Sequence, residues 1–274
     1  MDIGAPVEEL FGVAKAMVGM IHVAALPGTP FASKGVGAIV EQAVCEARML
    51  AEAGFNAVMI ENMHDRPYQR RNVGPEIVAG MSAVLDAVRR AVDVPLGVQI
   101  LAGANREALA VALAGGASFI RAESFVFAHV ADEGIMDEAA AGPLLRYRRE
   151  IGAEHVRIFA DVKKKHAAHA ITADVSLADA AEAAAFFGAD GVVVTGGATG
   201  KPTLAADVRD VRAATTLPVA VGSGVTPSNL ADFWEPADVF IVGSFYKRDG
   251  LWNEPIDPDR LAALMRAVGQ LRGT

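Results

Sequence analysis

Pro218-Val219-Ala220-Val221-Gly222-Ser223-Gly224-Val225-Thr226-Pro227-Ser228-Asn229 is an apolar run that breaks at a Gly-Ser-Gly turn. Thr226 suits a helix cap and Pro227 the first helical position, so a helix is expected to begin there. A strand that ends in free backbone N–H groups beside a helix start favours an anion. About twenty residues on, Val239-Phe240-Ile241-Val242 ends in Gly243-Ser244. Two successive strands closing in Gly-Ser read as the seventh and eighth strands of a (βα)8 barrel, where phosphate is often held.

Working outward, the same unit recurs. Strands are expected at Met17–His22, Ala57–Ile60, Pro95–Ile100, Ser118–Ala122, Val156–Asp161 and Gly191–Val194. Helical spacing of apolar residues marks 37–53, 75–91, a segment ending near 115, 139–151, 177–187, 204–213 and 258–271. Helix ends feed alternate strands through Ala53-Gly54-Phe55-Asn56, Gly115-Gly116-Ala117-Ser118, Phe187-Gly188-Ala189-Asp190 and Pro236-Ala237-Asp238. Continuous apolar strands at this spacing indicate a parallel sheet covered on both faces. Eight units predict one α/β barrel domain over 1–274, with residues 1–15 as a lead-in. The competing arrangement is a doubly wound sheet, which does not require the alternation.

Composition agrees. Hydrophobic residues make up 52% and charged residues 21% of 274, enough to bury a large core. A net charge of -8 argues against a general nucleic-acid binder and against an anionic membrane surface. The single cysteine, Cys45, excludes an internal disulfide, and its apolar neighbours predict a buried thiol. No apolar run reaches the ~18 residues that span a bilayer, and the acidic N-terminus lacks a signal-peptide pattern. The expected location is the cytoplasm. Homo-oligomerisation is compatible with the apolar content.

In such a barrel, strand C-terminal ends form the site. Read in order they give His22, Glu61-Asn62, Gln99, Glu123, Asp161, Thr195-Gly196, Gly222-Ser223-Gly224 and Gly243-Ser244. Glu61, Glu123 and Asp161 suit acid–base chemistry, or a hard cation such as Mg²⁺, with His22 shifting preference toward a transition metal. The segment Asp161-Val162-Lys163-Lys164-Lys165-His166 carries the most chemistry. An extended backbone would turn Asp161, Lys163 and Lys165 to one side and leave Lys164 in solvent. Lys163 and Lys165 are candidates to neutralise developing charge or hold a substrate anion, and a desolvated lysine can act as base or imine-forming nucleophile. His166 is a candidate acid–base group, metal ligand or loop-ordering residue.

Gly196 to Lys201 is not a P-loop, because the glycine spacing is short and Pro202 follows the lysine. It is expected to close over a ligand. Phe125-Val126-Phe127, with His129 nearby, is expected to pack a lid or a subunit contact. Trp234 and Trp252 are expected to be packing residues.

These blocks also resemble a known family. Val18-Gly19-Met20-Ile21-His22 with Leu26-Pro27-Gly28, Glu61-Asn62 with Asp65, Gly97-Val98-Gln99 and Phe119-Ile120-Arg121-Ala122-Glu123 match the BtpA family, also called BtpA/SgcQ. Ala160-Asp161-Val162-Lys163 with Lys165-His166, Thr195-Gly196 with Thr199-Gly200, Gly222-Ser223-Gly224-Val225 and Val242-Gly243-Ser244 complete the match. The resemblance spans nearly the whole chain and implies a barrel of the ribulose-phosphate-binding kind. The family takes its name from photosystem I biogenesis, while its occurrence in organisms without photosynthesis implies a metabolic enzyme.

The leading expectation is an enzyme for a small phosphorylated metabolite, a sugar phosphate or a nucleoside-derived phosphate. Isomerisation, aldol cleavage and glycosidic cleavage all suit the set. The alternatives are a non-enzymatic biogenesis factor for photosystem I or another membrane complex, and a phosphate-metabolite sensor.

Overall fold

A computed structural model of the chain describes residues 4–196 and 203–273. Strands β1 (Ala16–His22), β2 (Ala57–Glu61), β3 (Leu96–Gln99), β4 (Phe119–Ala122), β5 (Arg157–Val162), β6 (Gly191–Thr195), β7 (Val219–Gly222) and β8 (Val239–Val242) form a closed parallel barrel. Neighbours follow sequence order, and β1 pairs with β8 to complete the ring. The expected (βα)8 fold is the one observed.

Helices α1 (Gly4–Phe11), α2 (Val36–Glu52), α3 (Pro75–Ala91), α4 (Asn105–Gly115), α5 (Ala141–Glu150), α6 (Leu177–Phe186), α7 (Ala205–Ala214), α8 (Leu230–Trp234) and α9 (Pro258–Arg272) accompany the strands. α3 shows why such segments are helical. Pro75 sits at its start, Glu76 faces the positive end of the dipole, and Arg89 and Arg90 face the negative end. Its buried residues Ile77, Met81, Val84, Leu85 and Val88 fall on one stripe.

Period-2 alternation divides the core in two. One set of strand residues packs outward against the helices, among them Met17, Ile21, Val58, Ile60, Val98 and Ile120. The other fills the barrel interior with Val18, Met20, Met59, Phe119, Phe159, Val193, Ala220 and Ile241. Gly97 and Gly191 make room there: a Cβ on either would come within 2.3 Å of the Phe119 ring or 2.5 Å of the Phe159 ring. The lead-in supplies α1, whose Phe11 meets both rings at 5.5 and 6.3 Å and closes the N-terminal end. Continuing the inward parity carries His22, Glu61, Gln99, Arg121, Glu123, Asp161, Thr195, Gly222 and Gly243 to the other end.

A small antiparallel sheet stands at that mouth. Residues 129–131 pair with 134–136 on one side and 167–168 on the other, so the loops after β4 and β5 are joined. Phe125 is fully buried in the main core and Phe127 is exposed.

Two local expectations are corrected. Cys45 is exposed, because Glu46 takes the inward place on α2 and pairs with buried Lys247 at 3.3 Å. The helix after β7 starts at Leu230, not Pro227. Asn229 prolongs the turn: its Oδ1 accepts from the Thr226 N–H at 2.8 Å, and its Nδ2 donates to the Gly224 carbonyl at 2.8 Å. Among the described residues, no helix is long and apolar enough to cross a membrane.

Candidate functional site

The mouth holds a small cavity of about 40 Å³. His22, Glu61, Arg121 and Lys165 line one part of it, and the Ser223-Gly224 and Gly243-Ser244 turns line another. The register explains the grouping, since His22 pairs with Glu61 and Glu61 with Gln99 along adjacent strands.

His22 is fixed from outside the barrel. Its Nδ1 lies 2.8 Å from the carbonyl of Trp252, which can only accept, so Nδ1 carries the proton. Burial, reinforced by the Lys247 ammonium, pushes the imidazole down to about 3. The ring is therefore neutral near pH 7, with an Nε2 lone pair 3.7 Å from Glu61 Oε2. Two acceptors facing each other leave space for a donor from a ligand. Gly243 is needed for this placement, because a Cβ there would lie 2.9 Å from His22 Nε2. Trp252 packs as expected, against Met63, Leu101 and Ala102, and its indole also meets His22 edge-on at 6.1 Å and His64 at 4.8 Å, with the Arg66 guanidinium over it at 5.1 Å.

Asp161 and Glu123 are not free carboxylates at a common centre. Asp161 accepts two hydrogen bonds from buried Arg121, Nε to Oδ1 at 2.8 Å and Nη2 to Oδ2 at 3.0 Å. Burial opposes the guanidinium charge, but Asp161 raises its pKa above the ordinary arginine value. Glu123 meets Lys164 at 3.3 Å, and the same ammonium reaches Glu133 of the small sheet at 3.2 Å. Burial raises the Glu123 carboxyl despite Lys164, with the Asp161 charge adding to the rise. Burial also opposes the Lys164 charge, but Glu123 and Glu133 hold it above the ordinary lysine range. Lys164 is thus not solvated: only 5% exposed, it ties the mouth to the small sheet.

The reason is a break in parity. Lys163 adopts φ 51, so the alternation that would point Lys163 and Lys165 together stops there. Lys163 lines a separate cavity of about 20 Å³ with Ser124, His129 and His169. Lys165 stays at the central cavity. His166 is exposed, its Nδ1 3.7 Å from Asp132.

Gln99 and Thr195 end β3 and β6 but do not line the central cavity, and each keeps a buried oxygen, Oε1 and Oγ1, without a protein partner among the described residues. Asn62 is spent on structure: Nδ2 donates to Asp65 at 2.9 Å and Oδ1 accepts from the Leu101 N–H at 2.7 Å. Gly196 is buried at the end of β6. The loop expected to close over a ligand, with Thr199 and Gly200, falls at 197–202 and lies outside the described residues.

The two Gly-Ser turns differ. Ser223 and Gly224 both adopt positive φ, 69° and 65°, and Thr203 Oγ1 donates to the Gly222 carbonyl at 2.8 Å. Among the described residues, no backbone carbonyl accepts from the N–H of Ser223, Gly224 or Ser244. Arg121 Nη1, the guanidinium nitrogen not given to Asp161, lies 3.9 Å from a Cβ built on Gly222. The carboxylate trio expected to suit Mg²⁺ does not form a cage, since Asp161 and Glu123 are held by cations of the protein. Among the described residues, no three His, Cys, Asp or Glu side chains are grouped to hold an ion.

A profile of the BtpA family matches residues 13–270. An uncharacterized mitochondrial protein of Caenorhabditis elegans is 44% identical over 97% of this chain and 98% of its own. The photosystem I biogenesis protein BtpA of Synechocystis is 34% identical over 96% of this chain and 91% of its own. Among solved structures, a putative phosphonomutase from Burkholderia cenocepacia aligns at TM-score 0.57 and 21% identity, covering 100% of this chain and 99% of that one. Thiamine phosphate pyrophosphorylase from Pyrococcus furiosus aligns at TM-score 0.57 and 15% identity, covering 94% and 96%. At these identities the solved structures establish the fold alone.

Proposed function

The chain belongs to the BtpA family, and from that premise we propose that it is an enzyme for a small phosphorylated metabolite, working by acid–base chemistry at the barrel mouth. The observation that carries this reading is the single cavity where His22, Glu61, Arg121 and Lys165 meet the turns at Ser223-Gly224 and Gly243-Ser244. In this reading the uncommitted N–H groups of the turns receive the phosphate, with the Nη1 edge of Arg121 supplying charge.

The rest of the substrate lies toward His22 and Glu61. A substrate hydroxyl between the His22 Nε2 lone pair and the Glu61 carboxylate can donate to either, so one of them serves as general base. Gln99 and Thr195 contribute the buried oxygens that still need partners. Asp161 acts by orienting Arg121. Glu123 acts by fixing Lys164 beside the site. Within this reading the protein is a cytoplasmic enzyme, and the mitochondrial label belongs to the worm relative.

The test is a thermal-shift and calorimetric screen of inorganic phosphate, sugar phosphates and nucleotides, with and without Mg²⁺. Phosphorylated compounds are expected to raise Tm where their dephosphorylated counterparts do not. Glu61→Gln is expected to keep phosphate binding and lose turnover of any substrate found. A protein that ignores every phosphorylated compound, inorganic phosphate included, refutes the reading.

The name of the Synechocystis relative favours a second reading, a biogenesis factor for a membrane complex. That role calls for an exposed apolar face, and Phe186 and Phe187 form one at the end of α6, 86% and 52% exposed. Replacing both with serine separates the two readings, since an enzyme acting at the mouth should keep its ligand binding.

A further inference from the structure

Three lysines around the mouth differ in their partners. Lys164 lies between Glu123 and Glu133, and Lys247 lies against Glu46. Lys165 has neither kind of partner: among the described residues, no hydrogen bond or ion pair holds its ammonium. It nevertheless reaches the cavity that contains Glu61, His22 and Arg121. Lys165 is half-buried and lies within the field of Glu61, Asp161 and Glu123 without pairing to any of them, so its amine is left for a ligand.

Resting on the phosphorylated-metabolite reading above, we propose that Lys165 is an amine nucleophile and that the substrate is a small phosphorylated aldehyde or ketone, bound through an imine. The cavity suits that geometry. Phosphate at Ser223-Gly224 and Gly243-Ser244 leaves the other end of a short molecule beside Lys165 and Glu61. Burial lowers the Lys165 ammonium below the ordinary lysine range, Glu61 opposes that, and Arg121 adds to it.

The step balances with groups at hand. The Lys165 ammonium passes a proton through an intervening water to Glu61, leaving a neutral amine and a carboxylic acid. The nitrogen lone pair forms the C–N bond, and the carbonyl π pair moves onto oxygen. One proton from nitrogen and the Glu61 proton reach that oxygen, which departs as water. The product is a protonated imine that retains one N–H, and Glu61 is again a carboxylate. No oxidant, reductant or metal enters. The cation so formed stabilises negative charge at the neighbouring carbon, which is what isomerisation and aldol cleavage require.

The experiment is borohydride trapping of the full chain with dihydroxyacetone phosphate, glyceraldehyde 3-phosphate or ribose 5-phosphate, read by intact mass and peptide mapping. In parallel, inorganic phosphate is titrated by thermal shift on the same preparation. The expected result is a single adduct, heavier by the probe less one oxygen, on the peptide carrying Lys165. It should be absent from Lys165→Arg and retained in Lys163→Arg. Lys165→Met serves as the second variant, and circular dichroism verifies that both Lys165 variants fold. Phosphate binding without an adduct at Lys165 for any probe overturns the imine and leaves the phosphate reading standing. Equal labelling of Lys165→Arg and the parent also overturns it. Failure of inorganic phosphate and all three probes to shift Tm removes the underlying reading, and the imine with it.

Discussion

The Arg121–Asp161 pair makes a quantitative claim about folding. Both side chains are buried, 3% and 4% exposed, and both Asp161 oxygens are given to one guanidinium. Asp161→Asn would keep the shape but strand Arg121, a buried cation with its nearest counter-charge removed. Breaking such a pair costs about 3–5 kcal/mol, mostly from the charge left behind. For a chain of this size, each kcal/mol moves Tm by roughly 2–4 °C, so Asp161→Asn should lower Tm by roughly 6–20 °C. Arg121→Met should cost a similar amount by stranding Asp161. The double variant Arg121→Met with Asp161→Asn removes both charges and should recover most of the loss. The assay is urea unfolding of the four proteins, read as a double-mutant cycle. Single losses below about 1 kcal/mol, or a double variant that merely adds the two losses, would refute the reasoning. The consequence for function studies is direct. An inactive Asp161→Asn protein says nothing about catalysis until its folded fraction is known.

Three further outcomes are expected. Gly243→Ala should displace the His22 ring, costing about 1–3 kcal/mol of stability and abolishing ligand-induced shifts in Tm; unchanged ligand binding in that variant would contradict the packing argument. Lys247→Met should destabilise by about 3–5 kcal/mol, because Glu46 stays buried without a counter-ion, and chemical denaturation measures it directly. Acid should weaken the fold through histidines held neutral: burial depresses His22 to about 3 and His64 and His129 to about 4. A depressed histidine contributes stability that is complete above about pH 6.5 and lost as pH falls through the folded value. Glu123, raised by burial, acts in the opposite sense. Urea midpoints should fall between pH 6.5 and 4, and a smaller slope is expected for His129→Gln; a flat profile would rule the histidines out.

The barrel was legible because its signal is local. Strand C-terminal ends, each read from a few residues, put His22, Glu61, Gln99, Asp161 and Thr195 at one end without knowledge of any contact. Arg121 obeys the same parity as Phe119 and Glu123, so the signal for it was present in Phe119-Ile120-Arg121-Ala122-Glu123. It was passed over because an arginine inside a barrel becomes reasonable only once Asp161, 40 residues later, is seen to receive it. Lys164 failed for a different reason. Its burial depends on one backbone angle, φ 51 at Lys163, which no residue type in that run demands. Cys45 and Glu46 are adjacent on α2, and apolar periodicity alone favours the thiol. Lys247, 201 residues away from Glu46, reverses the choice. Asn62 looked like a ligand group because its side chain is polar and at a strand end, yet both of its functions are consumed within the loops.

The fit of His22 against Gly243 has a bearing on how such a site can be inherited or redesigned. Two positions 221 apart in sequence compete for one volume, so Gly243 cannot gain a side chain while His22 keeps its imidazole. A relative that replaces His22 with a small residue is free to carry a side chain at the position of Gly243, whereas one that keeps the imidazole is not. The two columns should therefore covary, as should the pairings of Gly97 with Phe119 and of Gly191 with Phe159 inside the barrel. A mutagenesis library that varies these glycines one at a time would sample mostly clashes. Varying them as couples would reach new mouth shapes on the same scaffold.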